Sequence, residues 1–349
     1  MSGNVKETSR IPGKRGLSET FPVTSSSLPS FKIEISRPDL SRWEKGNSGI
    51  RGFHHFRAAK PGPHVALTAL MHGNELAGAV VLSELLSMGI RPERGALSII
   101  FLNLDAFYQF CPGNPVASRF IHEDMNRLWH PSIMNSSKHS LELERVREIF
   151  PIFQTVDLLM DLHSMLWPAP PLILSGSTER GLRLGRNIGI PSLIVADHGH
   201  QYGKRLIDIP HFTSPDSKAS ACLLEAGQHW TKDSVETTRL SVSRFLMTSG
   251  ICDTPPYALP DYPSPDPVIA QVTECITARS RSLTFTESFT SGDIIRCRGT
   301  LLAWDGEDEI RTPYDNCMLI MPNPRTARGH TAVRLARITP AHIPDTAAQ

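Results

Sequence analysis

The chain has 349 residues, a formal net charge of +1, and apolar and charged fractions of 40% and 20%. That length can bury one large core plus a smaller one. The near-zero charge argues against nucleic acid or an anionic membrane as partner, and no apolar run approaches the ~20 residues that span a bilayer. Six scattered cysteines without a CxxC pair (Cys111, Cys222, Cys252, Cys275, Cys297, Cys317) read as reduced thiols in a cytoplasmic setting, not as a disulfide framework.

Residues 1–30, rich in Ser, Pro and Lys, lack the apolar core of a secretory signal and are expected to form a flexible tail. Phe31 to Ile35 alternates and is expected to be an edge strand. Val65–Leu70 reads as the first buried strand, Leu76–Gly89 as the helix after it, and Ala96–Leu102 as a second strand. The irregular stretch from Asp105 to His139 is long enough to suggest a functional loop. Leu141–Phe153 has amphipathic helical spacing, and Val156–His163 is a third strand. Strands are expected at Pro171–Ser175, Ser192–Ala196 and Ala221–Gly227, and helices at Thr178–Asn187 and Val235–Met247. This alternation indicates an α/β fold with a mixed, mostly parallel sheet and helices on both faces. The proline-dense stretch 254–268 reads as a linker. After it, alternating segments at Ile269–Thr277, Leu283–Phe289, Asp293–Cys297 and Met318–Met321 suggest a smaller β-rich domain. The expected organisation is a tail (1–30), a catalytic domain (31–253), the linker (254–268) and a C-terminal domain (269–342).

His72-Gly73-Asn74-Glu75 falls where the first buried strand turns into its helix, and open α/β sheets bind ligands at such strand ends. An imidazole and a carboxylate in one tight turn can reach one cation, and zinc accepts that donor pair. His163, ending a separate strand, would supply a third ligand and leave one coordination position open. Asp161 shares one side of the strand with His163 and can orient it from behind, or form a structural salt bridge instead. Glu225 ends a buried strand, where a carboxylate is costly unless paired, hydrogen-bonded or near a metal. Beside a zinc-bound water it would be the general base; the alternative is an ion pair at the sheet end. In the long loop, Arg119 can polarise a carbonyl, while Asn126 and Arg127 can hold a carboxylate. Loop arginines taken singly are more often solvated.

The ordered set His72-Gly73-Asn74-Glu75, Arg119-Phe120-Ile121, Asp124-Met125-Asn126-Arg127, Asp161-Leu162-His163 and Glu225-Ala226-Gly227 resembles the succinylglutamate desuccinylase/aspartoacylase family. That family belongs to the broader zinc carboxypeptidase fold. Asn103-Leu104-Asp105-Ala106-Phe107 also resembles the family's segment after its second strand. The resemblance implies one zinc per chain held by His72, Glu75 and His163. It implies Glu225 as general base, Arg119 as carbonyl polariser, and Asn126 with Arg127 gripping a substrate carboxylate. The implied reaction is hydrolysis of the amide of an N-acyl amino acid or related small amide.

Two departures bear on the substrate. The family's aspartate-specific members carry a further arginine about ten residues before the catalytic glutamate. Here that neighbourhood is Thr213-Ser214-Pro215-Asp216-Ser217-Lys218, leaving Lys204, Arg205 or Lys218 as substitutes. Gln228-His229-Trp230 follows Glu225-Ala226-Gly227, and Trp129 and Trp167 follow other motif residues, which favours a larger or less acidic substrate. His198, His200, His211 and Trp230 are open as pocket residues, as are Tyr202 and Tyr314, for each of which ordinary packing is the commoner outcome.

The expected partner is a small-molecule amide bearing a carboxylate; a homo-oligomer is left open. A zinc carboxypeptidase acting on a small peptide is the nearest alternative. A metal-binding scaffold without activity is the alternative from another class.

Overall fold

The computed structural model describes residues 31–199, 203–261 and 265–339. The expected tail 1–30, part of the linker, His200, Tyr202 and residues 340–342 lie outside the described residues. From the N-terminal side the elements are α1 (Ser41–Glu44), β1 (Phe53–Arg57), β2 (His64–Ala69), α2 (Leu76–Ser87) and β3 (Ala96–Phe101). Next come α3 (Leu104–Tyr108), α4 (Pro131–Met134), α5 (Leu141–Phe153), β4 (Leu158–Met165), β5 (Leu172–Gly176) and α6 (Glu179–Ile188). They are followed by β6 (Leu193–Ala196), α7 (Pro210–Thr213), β7 (Ser220–Gln228) and α8 (Lys232–Thr248). The C-terminal region holds β8 (Val268–Thr277), β9 (Leu283–Phe285), β10 (Ile294–Ile295) and β11 (Leu301–Asp305). It ends with β12 (Asp308–Arg311), β13 (Cys317–Ile320) and β14 (Thr331–Thr339).

The sheet order is β1-β3-β2-β4-β7-β5-β6-β8-β14-β13-β10, and β12-β11-β9 form a separate three-stranded sheet. Strands β3, β2, β4 and β7 run parallel, as do β5 with β6 and β6 with β8. The pairs β1 with β3 and β5 with β7 are antiparallel. The catalytic part is therefore mixed and mostly parallel, with the C-terminal strands antiparallel among themselves. Hydrogen bonding continues from β6 into β8, so the C-terminal region shares the main sheet.

Alternating side chains send the sheet's apolar residues to two helical layers. Leu67, Ile99, Met160 and Leu224 pack with Leu82 of α2, Leu184 of α6 and Phe245 of α8. Ala66, Ile100, Leu159 and Leu223 pack with Leu143, Val146, Ile149 and Phe153 of α5. A fully buried side chain of this kind contributes roughly 1.5–3 kcal/mol, so the strand ends are set on a rigid support. Helix starts are capped by side chains: Ser140 accepts from the N–H of Leu143, Thr178 from that of Gly181 and Thr231 from that of Ser234. Each bond satisfies a donor that the helix itself cannot.

The expected edge strand at Phe31–Ile35 is not one. Phe31, Ile33 and Ile35 pack onto the core, and the Glu34 N–H donates to the Trp230 carbonyl at 2.8 Å. Alternation there reflects a segment lying across the core without a strand partner. β1 takes the edge instead. Among the described residues no helix is long and apolar enough to cross a membrane.

Candidate active site

β2 ends at Ala69, Leu70 adopts a positive φ of 61°, and the turn His72–Glu75 leads directly into α2. Glu75 stands at the N-cap of α2, yet its carboxylate caps nothing. It reaches sideways, with Oε1 2.7 Å from Nδ1 of His72 and Oε2 3.0 Å from Nδ1 of His163. The partial positive charge of a helix N-terminus favours a carboxylate at this place. Gly73 is required by close approach. A Cβ there would lie 2.3 Å from the Ala106 carbonyl carbon and 2.6 Å from the Ser118 oxygen. Its N–H donates to the Arg119 carbonyl at 3.1 Å, tying the turn to the long loop.

Both imidazoles are held from behind by carboxylates. Nε2 of His163 is 2.8 Å from Asp161 Oδ2, and Nε2 of His72 is 2.9 Å from Asp124 Oδ1. Asp161 is itself fixed by the Thr68 hydroxyl at 2.6 Å. Each ring thus turns Nδ1 toward Glu75, and donor atoms of the three residues lie within 4.8 Å of one another. Two ring nitrogens and a carboxylate, each ring backed by a carboxylate, form a donor set suited to zinc with an open position. Without a metal, the charges of the three residues lock onto one another. Burial works against the Glu75 carboxylate, but His72 and His163 outweigh it and hold it well below the usual range. Burial likewise opposes charge on His163, and Asp161 with Glu75 overrides it. We expect Asp161→Asn to weaken metal affinity about 10–100-fold; zinc competition against a fluorescent chelator checks this.

Glu225 on β7 sits in register with His163 on β4, so the two side chains share a face. It is 7% exposed, and its Oε2 has no hydrogen-bond partner among the described residues. Burial, reinforced by Glu75, raises its pKa to about 8. The loop residues converge on the same place. Arg119 lies 2.9 Å from Nε2 of His72, 3.2 Å from Asp124 Oδ2 and 3.5 Å from Glu75 Oε1. Arg127 is 3.9 Å from Asp124. Asn126 accepts the Leu206 N–H on Oδ1 at 3.1 Å, which fixes the amide and leaves Nδ2 as its donor. All seven expected site residues are therefore brought to one end of the parallel strands.

Several other expectations place differently. Trp129 and Trp230 are fully buried. The first packs against Phe153, and the second donates its indole N–H to the Asn74 carbonyl, bracing the His72–Glu75 turn from below. Trp167 is half-buried and bonds to Asn323. His211 bonds to the Val156 carbonyl ahead of β4, the opposite end of that strand from His163. His198 is exposed. Tyr314 is occupied by Thr273 and by the Arg337 guanidinium stacked on its ring. Of the substitutes for the missing arginine, Lys218 precedes β7 and so lies at its far end from Glu225. Arg205 is enclosed between Asp197 and Asp208. Lys204 is exposed beside Leu128.

Three contributors had no role assigned from the sequence. Asp124 joins His72, Arg119 and Arg127, and only its place in the Asp-Met-Asn-Arg motif hinted at this. Ser164 donates its N–H to Glu75 Oε2 at 3.2 Å, and its hydroxyl pairs with Nδ1 of buried His229 at 2.8 Å. Burial pushes the pKa of His229 down to about 3, keeping it a neutral imidazole beside the charged cluster. Glu142 on α5 accepts the N–H groups of Ile121 and His122 at 2.6 and 3.2 Å, which orders the loop carrying Arg119 and Asp124. A buried acid in an amphipathic helix was the available signal.

A mixed α/β sheet with a His-Glu-His cluster and a buried carboxylate at the parallel strand ends is a candidate metal centre of the hydrolase type. The family model for the succinylglutamate desuccinylase/aspartoacylase catalytic domain matches residues 61–248, and the chain belongs to that family. The fold is similar to succinylglutamate desuccinylase of Vibrio parahaemolyticus, with TM-score 0.61 and 14% identity over 82% of this chain and 86% of that one. The enzyme of the same name from Chromobacterium violaceum has TM-score 0.61 and 19% identity, covering 84% and 90%. Murine aminoacylase 3 has TM-score 0.56 and 16% identity, covering 81% and 97%.

Proposed function

We propose that the protein is a zinc-dependent deacylase that hydrolyses the amide of an N-acyl amino acid, or a related small amide carrying a carboxylate. The observation that carries this is the pairing of the His72–Glu75–His163 donor set with Glu225 directly beside His163. A zinc ion held by those three residues would acidify its water and polarise the amide carbonyl. The positive charge of the bound zinc would favour the ionised form of Glu225, and its unengaged carboxylate oxygen takes the proton from the attacking water and delivers it to the departing nitrogen. The Arg119 guanidinium stabilises the negative charge that develops on the carbonyl oxygen. Asn126 Nδ2 and Arg127 hold the substrate carboxylate and set the amide over Glu225.

Charge around the pocket favours a substrate with one carboxylate. Asp124 offsets part of the Arg119 and Arg127 pair, while Arg205 is closed in by two aspartates. An acetyl or other neutral acyl group fits this balance better than an acidic one. Release of free amine from N-acetyl, N-succinyl and N-aroyl amino acids, alongside free dipeptides, tests the reading. Turnover confined to N-acyl amino acids is expected, with neutral acyl groups preferred. Cleavage of dipeptides alone would replace it with a carboxypeptidase.

A further inference from the structure

Behind the proposed carboxylate clamp lies a buried cluster of four charges. Arg205 is 1% exposed, Asp197 1%, Asp208 8% and Arg334 4%. The Arg205 guanidinium forks onto both acids. It donates to Asp197 at 2.6 and 3.1 Å and to Asp208 at 2.7 and 3.0 Å. Arg334, from β14 of the C-terminal region, approaches Asp197 at 3.4 Å. Such forks fix a guanidinium in both position and plane.

The segment that bears Arg205 is also the seat of the clamp. The Leu206 N–H orients the Asn126 amide at 3.1 Å. The Lys204 carbonyl accepts the Trp129 N–H at 3.3 Å, and Lys204 forms an isolated bridge with Leu128. Gly203 has a φ of 85°, and a Cβ there would lie 2.4 Å from the Arg127 carbonyl oxygen and 2.7 Å from its Cβ. Backbone from 203 to 206 therefore touches Arg127, Leu128, Trp129 and Asn126 in turn. The charge on Arg127 registers the cluster too. Burial lowers its pKa to about 10 against the pull of Asp124, with Arg119, Arg334 and Arg205 adding to the lowering.

We propose that Asp197, Arg205 and Asp208, joined by Arg334, are positioning residues that set the Asn126–Arg127 clamp, so selectivity for a substrate carboxylate is fixed from behind the pocket. The inference rests on the deacylase reading, in which that clamp grips a carboxylate. Among the described residues, Asp197, Arg205 and Asp208 make no hydrogen bond to the metal donors or to Glu225. Their loss should therefore misplace the carboxylate and leave the reacting centre intact. It also gives the C-terminal strands a part in substrate selection, through Arg334.

The test compares the best N-acyl amino acid with its α-carboxamide, which keeps the scissile bond and lacks the carboxylate. Arg205→Met and the isosteric Asp208→Asn are assayed zinc-loaded, with metal content and circular dichroism recorded. We expect KM for the acid to rise about tenfold in Arg205→Met and less in Asp208→Asn, a loss of discrimination read directly from kcat/KM ratios. The carboxamide's kcat/KM, the acid's kcat and the zinc content should stay near wild type. Equal proportional losses on acid and carboxamide, or an unchanged acid KM, would overturn the proposal. If Arg205→Met fails to fold, Asp208→Asn decides alone by the same ratio. Wild-type protein that cleaves no N-acyl amino acid would defeat the deacylase reading and this inference together. Wild-type activity with an unshifted ratio in the variants would defeat this inference only.

Discussion

Glu225→Gln should lower turnover about a thousandfold, within the range general acid–base groups contribute, while zinc stays bound. The side chain keeps its shape and loses its basicity, so substrate KM should change little. Stability should move the other way in the chelated protein. Burial, with Glu75, raises the folded-state pKa of Glu225 from 4.5 to about 8. As pH rises from about 5 to 8, the unfolded chain ionises this group while the folded protein keeps it protonated. Folding stability is lost over that window. Glutamine does not ionise, so chelated Glu225→Gln should unfold at a higher temperature than chelated wild type at pH 8, with the gap closing toward pH 4.5. Melting curves at the two pH values check the sign. A variant that is more stable and almost inactive fits a residue kept for chemistry at a cost in stability.

The second large effect is expected from His163→Ala. It removes one of three donors and leaves Asp161, fully buried, facing the space where the ring stood. Zinc should dissociate during gel filtration, and activity should fall to background. His163→Ala should also lose more thermal stability than His72→Ala. The partner of His72 across the ring, Asp124, is partly exposed and keeps Arg119 and Arg127 as partners. Metal analysis by mass spectrometry and melting curves separate the two variants.

Strands β2, β4 and β7 and helix α2 were legible in the sequence because their apolar runs are buried on both faces and end at chemically distinctive residues. The His72–Glu75 turn, His163 and Glu225 could be read for the same reason: each stands where such a run stops. Strand β1 was not legible. Phe53-His54-His55-Phe56-Arg57 has the polar content of an edge strand, and its pairing with β3 comes from tertiary contact. The hairpin of β11 and β12 turns at Gly306-Glu307, between the paired residues Asp305 and Asp308, with Gly306 at a φ of 69°. Glycine at the first position of a two-residue loop is a hairpin signal. β14 was also missed, although Ala332 to Ala336 is buried.

The site divides along the same line. Residues whose roles depend on local sequence, such as His72 with Glu75 or Asp161 with His163, lie close enough along the chain to be paired by spacing. Roles created by long-range contact were invisible. Glu142 reaches back to Ile121, Ser164 meets His229, and Arg334 on β14 comes to Asp197 across the intervening strand β8. The tryptophans show the converse error. Trp129 and Trp230 follow motif residues closely, yet the chain turns inward there, and both serve as packing beneath the site.

In the proposed mechanism one zinc on His72, Glu75 and His163 drives amide hydrolysis. A titration of chelator-stripped protein with zinc, following amine release from the best N-acyl amino acid, tests it most directly. No turnover is expected without metal, followed by a linear rise that breaks at one zinc per chain, and a flat line for His163→Ala. Full turnover in the stripped protein, or a titration in His163→Ala that matches wild type, would contradict it.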